Sequence, residues 1–309
     1  MNSFPAVFES IDDLDITQLQ YLLLYSQKLK QNSVPLGMQQ FSTSTRPIVA
    51  TSFLENSTRT KHSFAIAVQK LGAMYLDFAA ETSSLKKGES LAETLLTLKY
   101  QGVDVCVIRT SVSHELRPFK LQPPIKIING GDGINEHPTQ ALLDLFTMQE
   151  IGFAVAGKTI AIIGDCVHSR VGHSLMKLLP LFGAKILLCG PLEYLPKKTA
   201  AGVSLTDSLA EALEKSDLLY LLRIQKERHG SEQSQKHSSI YHQYHDHYGM
   251  NLNRLKQCSR EIPVFHPGPA NIGVEISHDL MKSAYYQGYQ QVVNSIYMRM
   301  AIIKSMIDH

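Results

Sequence analysis

The 309-residue chain is too long for one ordinary hydrophobic core and points to two domains. With 44% apolar and 19% charged residues it can fill sizeable cores, which excludes global disorder. A formal net charge of +2 calls for neither nucleic acid nor a membrane surface as partner, and it is silent on small anions, which need only a local cationic site.

In chain order, the first predicted helix runs from Ile16 to Lys30, with Asp15 as N-cap and Leu19, Leu22 and Leu23 on one face. A β run from Pro47 to Leu54 leads into a helix opening at Ser57. Met74 to Ala79 reads as a strand, Leu91 to Tyr100 as a helix and Val103 to Ile108 as a strand. Ile125 to Ile128 reads as a strand ending in a Gly-rich turn, and His137 to Met148 as a long helix. A second series starts at Gly157: strand Thr159–Ile163, helix Arg170–Leu179, strand Lys185–Cys189, helix Ser208–Lys215, strand Leu218–Leu222, and a strand ending at Val264. A last helix spans Gln290 to Ile307. Strands alternating with helices imply parallel sheets covered on both faces. The boundary is expected near 146–156, where Gly152 and Gly157 flank a short connection. His229 to Asn253 is polar and His-rich and is predicted to be a mobile loop with a short helix.

Four scattered cysteines (Cys106, Cys166, Cys189, Cys258) form no CxxC pair and read as reduced thiols of a cytosolic protein. The first fifteen residues lack a basic start followed by an apolar stretch, so no secretory signal is expected. No apolar run approaches ~18 residues, so no transmembrane helix is expected either.

The strongest local signal is Phe53-Leu54-Glu55-Asn56-Ser57-Thr58-Arg59-Thr60-Lys61, where a β run ends and a helix begins. A helix's first turn carries unpaired N–H groups and partial positive charge. Hydroxyls of Ser57, Thr58 and Thr60 and the Arg59 fork turn it into a phosphate cradle. Taken alone, these residues also fit an ordinary Ser/Thr N-cap. With them the chain resembles the carbamoyltransferase family, whose first fingerprint is STRTR after Phe-x-Glu or Phe-x-Lys. Lys61 stands where that fingerprint has Arg, keeping the charge but not the bidentate fork.

Arg109 follows a strand end, where open parallel sheets place ligand groups. Asp132-Gly133-Ile134-Asn135-Glu136-His137-Pro138-Thr139-Gln140 resembles the family's second fingerprint, in which His-Pro-x-Gln opens a helix. The resemblance implies that Arg109 and His137 contact the carbamoyl oxygen, that Arg109 also touches phosphate, and that Gln140 contacts the carbamoyl amide. Ser83-Ser84-Leu85-Lys86-Lys87-Gly88-Glu89 on its own is a polar surface loop. By resemblance it swings into the active site of an adjacent subunit, with Ser83 and Lys87 reaching the substrates.

The resemblance also supplies an acceptor site. Gly164-Asp165-Cys166-Val167-His168-Ser169-Arg170 and Leu222-Arg223-Ile224-Gln225-Lys226-Glu227-Arg228 each follow a strand, and the second matches the Arg-x-Gln-x-Glu-Arg of aspartate-specific members. Arg170, Arg223 and Gln225, helped by Lys87, are then the ligands of two carboxylates. Interdomain ion pairing is the plainer role for such arginines, and Glu55 and Arg228 are the better candidates for it. His266-Pro267-Gly268-Pro269 implies a tight turn with a cis Gly268–Pro269 bond and carbonyls aimed at the carbamoyl amide and the substrate amine. The His-Cys-Leu-Pro and Ser-Met-Gly motifs of ornithine-type members are absent.

The implied protein is a two-domain α/β transferase: residues 1–145 bind carbamoyl phosphate, 146–290 bind L-aspartate, and a helix at 291–309 returns to the first domain. Arg59, Thr60, Lys87, Arg109 and His137 are the implied catalytic set. The implied assembly is a cytoplasmic homotrimer with active sites at subunit interfaces, either free or joined to a regulatory chain or a dihydroorotase-like partner. The implied pathway is pyrimidine synthesis. No cofactor and no metal is called for; His242, His245 and His247 read as solvated or capping residues. Three alternatives stay open: another transcarbamoylase such as the ornithine type, a non-catalytic ligand-binding homologue, and a dinucleotide enzyme, against which IIGDCVHSRVG lacks the G-x-G-x-x-G spacing.

Overall fold

The computed structural model describes residues 3–32, 41, 46–78, 88–200, 202–224 and 243–308. These fall into two compact units, one of Met1–Phe146 with Val292–His309 and one of Thr147–Gln291. Each is an all-parallel five-stranded sheet flanked by helices, the predicted fold class.

The first unit contains β1 (Val7–Phe8), α1 (Ile16–Gln31), β2 (Ile48–Phe53), α2 (Thr58–Lys70), β3 (Met74–Phe78), α3 (Leu91–Tyr100), β4 (Val105–Thr110), β5 (Lys126–Asp132) and α4 (Pro138–Glu150), which runs past the division. Helix α1 starts at a capping box: Asp15 accepts from the Gln18 amide at 2.8 Å, and the Gln18 side chain accepts from the Asp15 amide at 2.9 Å. Ser90 and Glu93 do the same for α3. The sheet order is β1-β5-β4-β2-β3. After β2 the chain steps outward to β3, then returns past β2 to build β4 and β5 on its other side. The switch point therefore lies between β2 and β4, where open α/β sheets leave a crevice at the strand C-termini.

Two strand predictions need correcting here. Val103 belongs to the exit turn of α3, donating to Leu98 at 3.0 Å, so β4 starts later and includes Arg109. The expected turn after Ile128 is strand instead. Gly130 lies so close to β4 that a Cβ would come within 3.2 Å of the Ile108 carbonyl, and the Asn129 side chain accepts from the Gly131 amide at 2.7 Å, so the glycines let β5 run on to Asp132.

The C-terminal helix, Gly288–Asp308, packs on the first unit through Met298, Ala301, Ile302, Ile303 and Met306, all buried. Lys30 of α1 donates to Asn294 at 2.8 Å, and the Ser26 hydroxyl lies 3.5 Å from the Met298 sulfur.

The second unit contains β6 (Thr159–Ile163), α5 (Arg170–Leu181), β7 (Lys185–Cys189), β8 (Val203–Thr206), α6 (Leu209–Lys215), β9 (Leu218–Leu221) and β10 (Val264–Phe265). Its order, β10-β9-β6-β7-β8, puts the switch between β6 and β9. Ala161, Ile163, Leu187, Leu219, Leu221 and Val264 fill the core, as expected for strands covered on both faces.

Candidate active site

In each unit the candidate residues gather at the C-terminal ends of strands beside a switch point. In the first unit, β2 ends at Phe53, paired in register with Arg109 of β4, and the Leu54 amide donates to the Arg109 carbonyl at 2.8 Å. Four residues later α2 begins at Thr58. Its N-cap, Ser57, is extended (φ −156°, ψ 97°) and its side chain makes no capping bond, so the hydroxyl leaves the first-turn amides to another acceptor. Thr58 and Arg59 are exposed, Ser57 is half-buried and Thr60 is buried.

Arg109 is buried, with one guanidinium nitrogen 3.1 Å from Glu55 and another 3.4 Å from the Gly130 carbonyl. Glu55 thus pairs inside the first unit. His137 occupies the residue before Pro138, and its carbonyl accepts from the Gln140 amide at 3.0 Å, which starts α4. Its ring is buried, with Nε2 3.4 Å from the Thr60 hydroxyl and Nδ1 3.4 Å from that of Thr139. The structure therefore gathers Thr60 and His137 directly, and Arg109 one strand away. The side-chain amide of Gln140 donates to Asp144 at 3.0 Å. Lys61, the departure from the fingerprint, is tied to Asp77 of β3 at 2.8 Å.

The loop that presents His137 hangs on Asp132, which is fully buried. Its carboxylate accepts from the His114 amide (2.8 Å), Asn129 Nδ2 (2.8 Å), Asn135 Nδ2 (2.9 Å) and the Glu136 amide (3.1 Å). Glu136 is bound in turn by the Ser10 hydroxyl and the Ile11 amide. Glu9, His114 and Asp132 place potential metal-ligand atoms within 4.8 Å of one another. Both Asp132 oxygens already take two donors, and Lys120 sits 2.9 Å from Glu9. That ammonium supplies the positive charge, so the cluster is read as structural.

In the second unit, Arg170 is the buried first residue of α5, and Ser169 caps the helix by accepting from the Gly172 amide at 3.1 Å. His168 holds Asp165 at 2.9 Å. Burial, with Asp165 adding to it, pushes the Cys166 thiol well above its ordinary range, so it is no nucleophile. Arg223 follows β9 by two residues and is half-buried. Beyond β10, the Gly268–Pro269 bond is cis, as predicted, and Gly268 has φ +61°. The turn is braced from behind. His266 accepts from the Gly268 amide at 2.8 Å and meets Glu275 at 3.3 Å; Glu275 accepts from the Asn271 amide at 2.6 Å; Asn271 donates to the Ile224 carbonyl at 3.1 Å. This last bond ties the Pro267–Pro269 turn to the segment carrying Arg223. Strands β6, β9 and β10 are neighbours, so Arg170, Arg223 and the turn share one sheet end. Ser83, Lys87, Gln225, Arg228 and His242 lie outside the described residues.

Family models match both units. The "Aspartate/ornithine carbamoyltransferase, carbamoyl-P binding domain" covers residues 7–150, and its "Asp/Orn binding domain" covers residues 156–306. The chain belongs to the aspartate/ornithine carbamoyltransferase family. It is 38% identical over 300 residues to the aspartate carbamoyltransferase catalytic subunit of Listeria monocytogenes, covering 96% of this chain and 94% of that one. It is 43% identical over 259 residues to the Thermus aquaticus catalytic subunit, covering 82% and 83%. Its fold is similar to the crystal structure of aspartate transcarbamoylase from Trypanosoma cruzi in complex with carbamoyl phosphate and aspartate, with TM-score 0.82, 29% identity and coverage of 98% and 97%. For a carbamoyltransferase, the residues that sequence reasoning missed are those behind the site: Asp132, Glu136 and Asp144. Only Asp132 and Glu136 sit inside a recognisable motif.

Proposed function

We propose that this chain transfers the carbamoyl group of carbamoyl phosphate to the amine of L-aspartate, giving N-carbamoyl-L-aspartate and phosphate. The observation that carries the proposal is the anion cradle at the β2/β4 switch point, where the first turn of α2 is left uncapped by Ser57 and Thr60 meets His137. Relatives named for the aspartate reaction, similar over most of the chain, support the acceptor assignment.

In this reading Ser57, Thr58, Arg59, Thr60 and Arg109 hold the phosphate, with Ser83 of a neighbouring copy. Arg109, His137 and Thr60 hold the carbamoyl oxygen, and Gln140 and the carbonyls of Pro267 to Pro269 hold its amide. Arg170, Arg223, Gln225 and Lys87 bind the two carboxylates of aspartate, with Gly268 near its amine. The amine lone pair attacks the carbamoyl carbon and forms the C–N bond. The tetrahedral intermediate then breaks its C–O bond to phosphate, which leaves with the amine proton. No covalent enzyme intermediate forms. Catalysis comes from holding two anions together and from donors aimed at the developing oxyanion. The chain works as a cytoplasmic homotrimer in pyrimidine synthesis; no helix among the described residues is long and apolar enough to cross a membrane.

The test is product formation from carbamoyl phosphate and L-aspartate, with ornithine as competing acceptor and sedimentation in parallel. Carbamoyl aspartate alone, from a trimer, is the expected result. Citrulline, or no product from a folded trimer, overturns the proposal.

A further inference from the structure

The C-terminal helix meets the first unit through a largely apolar face that carries one buried charge among the described residues. Arg299 is 2% exposed, among Met298, Met300, Ala301, Ile302 and Ile303. Its guanidinium lies 4.9 Å from the centre of the Phe64 ring and donates to the Ser63 hydroxyl, while its Nε finds no hydrogen-bond partner among the described residues. Burial, and Arg109 nearby, work against its charge; buried Asp144 supports it. Such a group is a poor way to hold a helix. Replacing a buried charge by an apolar side chain of like volume is often neutral or stabilising, and methionine would continue the pattern of this helix face. The fold alone therefore does not account for arginine here.

What it touches does. Ser63, which takes the Arg299 donor, gives its own proton to the carbonyls of Arg59 (2.6 Å) and Thr60 (3.0 Å). Those are the first-turn residues of the cradle. Asp144 accepts from Gln140 at 3.0 Å. One buried cation thus reaches, through Ser63, the backbone under Arg59 and Thr60, and Asp144, whose charge supports it, holds Gln140 on α4. We infer that Arg299 is a positioning residue for the donor end of the site: its guanidinium holds the Ser63 hydroxyl that braces the carbonyls of Arg59 and Thr60, so that the phosphate-binding turn of α2 keeps its geometry. The inference rests on the carbamoyl phosphate reading above.

The two can fail separately. Arg299→Met, Arg299→Lys and Ser63→Ala are compared with the wild type in three measurements: steady-state kinetics in both substrates, binding of inorganic phosphate by calorimetry, and urea unfolding. A wild type inactive with carbamoyl phosphate and aspartate sinks the functional reading, and phosphate binding still tests Arg299. The expected result for Arg299→Met is an unfolding midpoint equal to or above wild type together with weaker phosphate binding. Its kcat/KM for carbamoyl phosphate should fall roughly 10²-fold, the scale of a misplacement of about 1 Å. Arg299→Lys, which keeps the charge without the fork, should recover part of that loss. Ser63→Ala should weaken phosphate binding in the same direction. A purely structural role instead lowers stability and leaves phosphate affinity of the folded fraction at the wild-type value, and that result overturns the inference. If Arg299→Met does not fold, Arg299→Lys decides: wild-type kinetics and phosphate affinity refute positioning.

Discussion

Replacing Asp132 by alanine removes one side chain and strands four donors. Two are backbone amides, of His114 and Glu136, and two are the side-chain amides of Asn129 and Asn135. Asp132 is fully buried, so water reaches none of them without local rearrangement. Each buried donor left without an acceptor costs about 1–3 kcal/mol, and partial relaxation of the two asparagines brings the total to about 3–5 kcal/mol. With a urea m-value of roughly 2 kcal/mol per molar, the unfolding midpoint of the first unit should fall by roughly 1.5–2.5 M. The assay is urea unfolding followed by far-UV circular dichroism. Asp132→Asn, which puts a donor where two donors already point, should recover less than half of the loss. A midpoint within 0.5 M of wild type, on the order of 1 kcal/mol, would refute the claim that this carboxylate organises the loop carrying His137.

Three further outcomes are expected. Arg109→Met should lower kcat by roughly 10²–10³, about 2.7–4 kcal/mol of barrier, because it removes an oxyanion donor. Its stability should barely change, since the Glu55 side chain is 31% exposed and can rehydrate; a kcat within tenfold of wild type removes Arg109 from the catalytic set. Gly164→Ala should destabilise the second unit by about 1–3 kcal/mol and raise the KM for aspartate, because φ is +134° and a Cβ would come within 2.9 Å of the Leu222 side chain, next to Arg223; unchanged unfolding would show that the strand end yields freely. Burial pushes the Cys106 and Cys189 thiols up to about 12 and Cys166 well above its usual value, so at pH 8 the thiolate is roughly one part in 10⁴ or less. A thiol reagent should therefore label at most the half-buried Cys258 in native protein and all four cysteines in urea, with labelling of the first three appearing only as pH rises towards 12.

Strands Thr159–Ile163 and Lys185–Cys189 and helix Leu91–Tyr100 could be read from the sequence alone, because apolar runs and a Ser-x-x-Glu cap mark their ends unambiguously. Val7–Phe8 could not, since two residues carry no period, and their pairing with Ile127 and Ile128 is set by a distant strand. Val203–Thr206 is an edge strand of mixed polarity whose partner, β7, defines it. The site divided along the same line. Ser57 to Thr60 and His137 to Gln140 are contiguous, so a local motif announces them. Arg299 is one of three charges, with Lys304 and Asp308, in a helix of apolar period, and a charge there is expected on the solvent face. Its burial depends on where Ser63 and Asp144 fall in the fold, and nothing local encodes that.

The uncapped start of α2 has a consequence for how the protein meets its ligand. Most helices carry their own terminator, so their ends are finished before anything binds. Here the serine that could finish the helix makes no capping bond, so under the proposed function the acceptor for the first amides is the phosphate of the substrate and not a side chain of the protein.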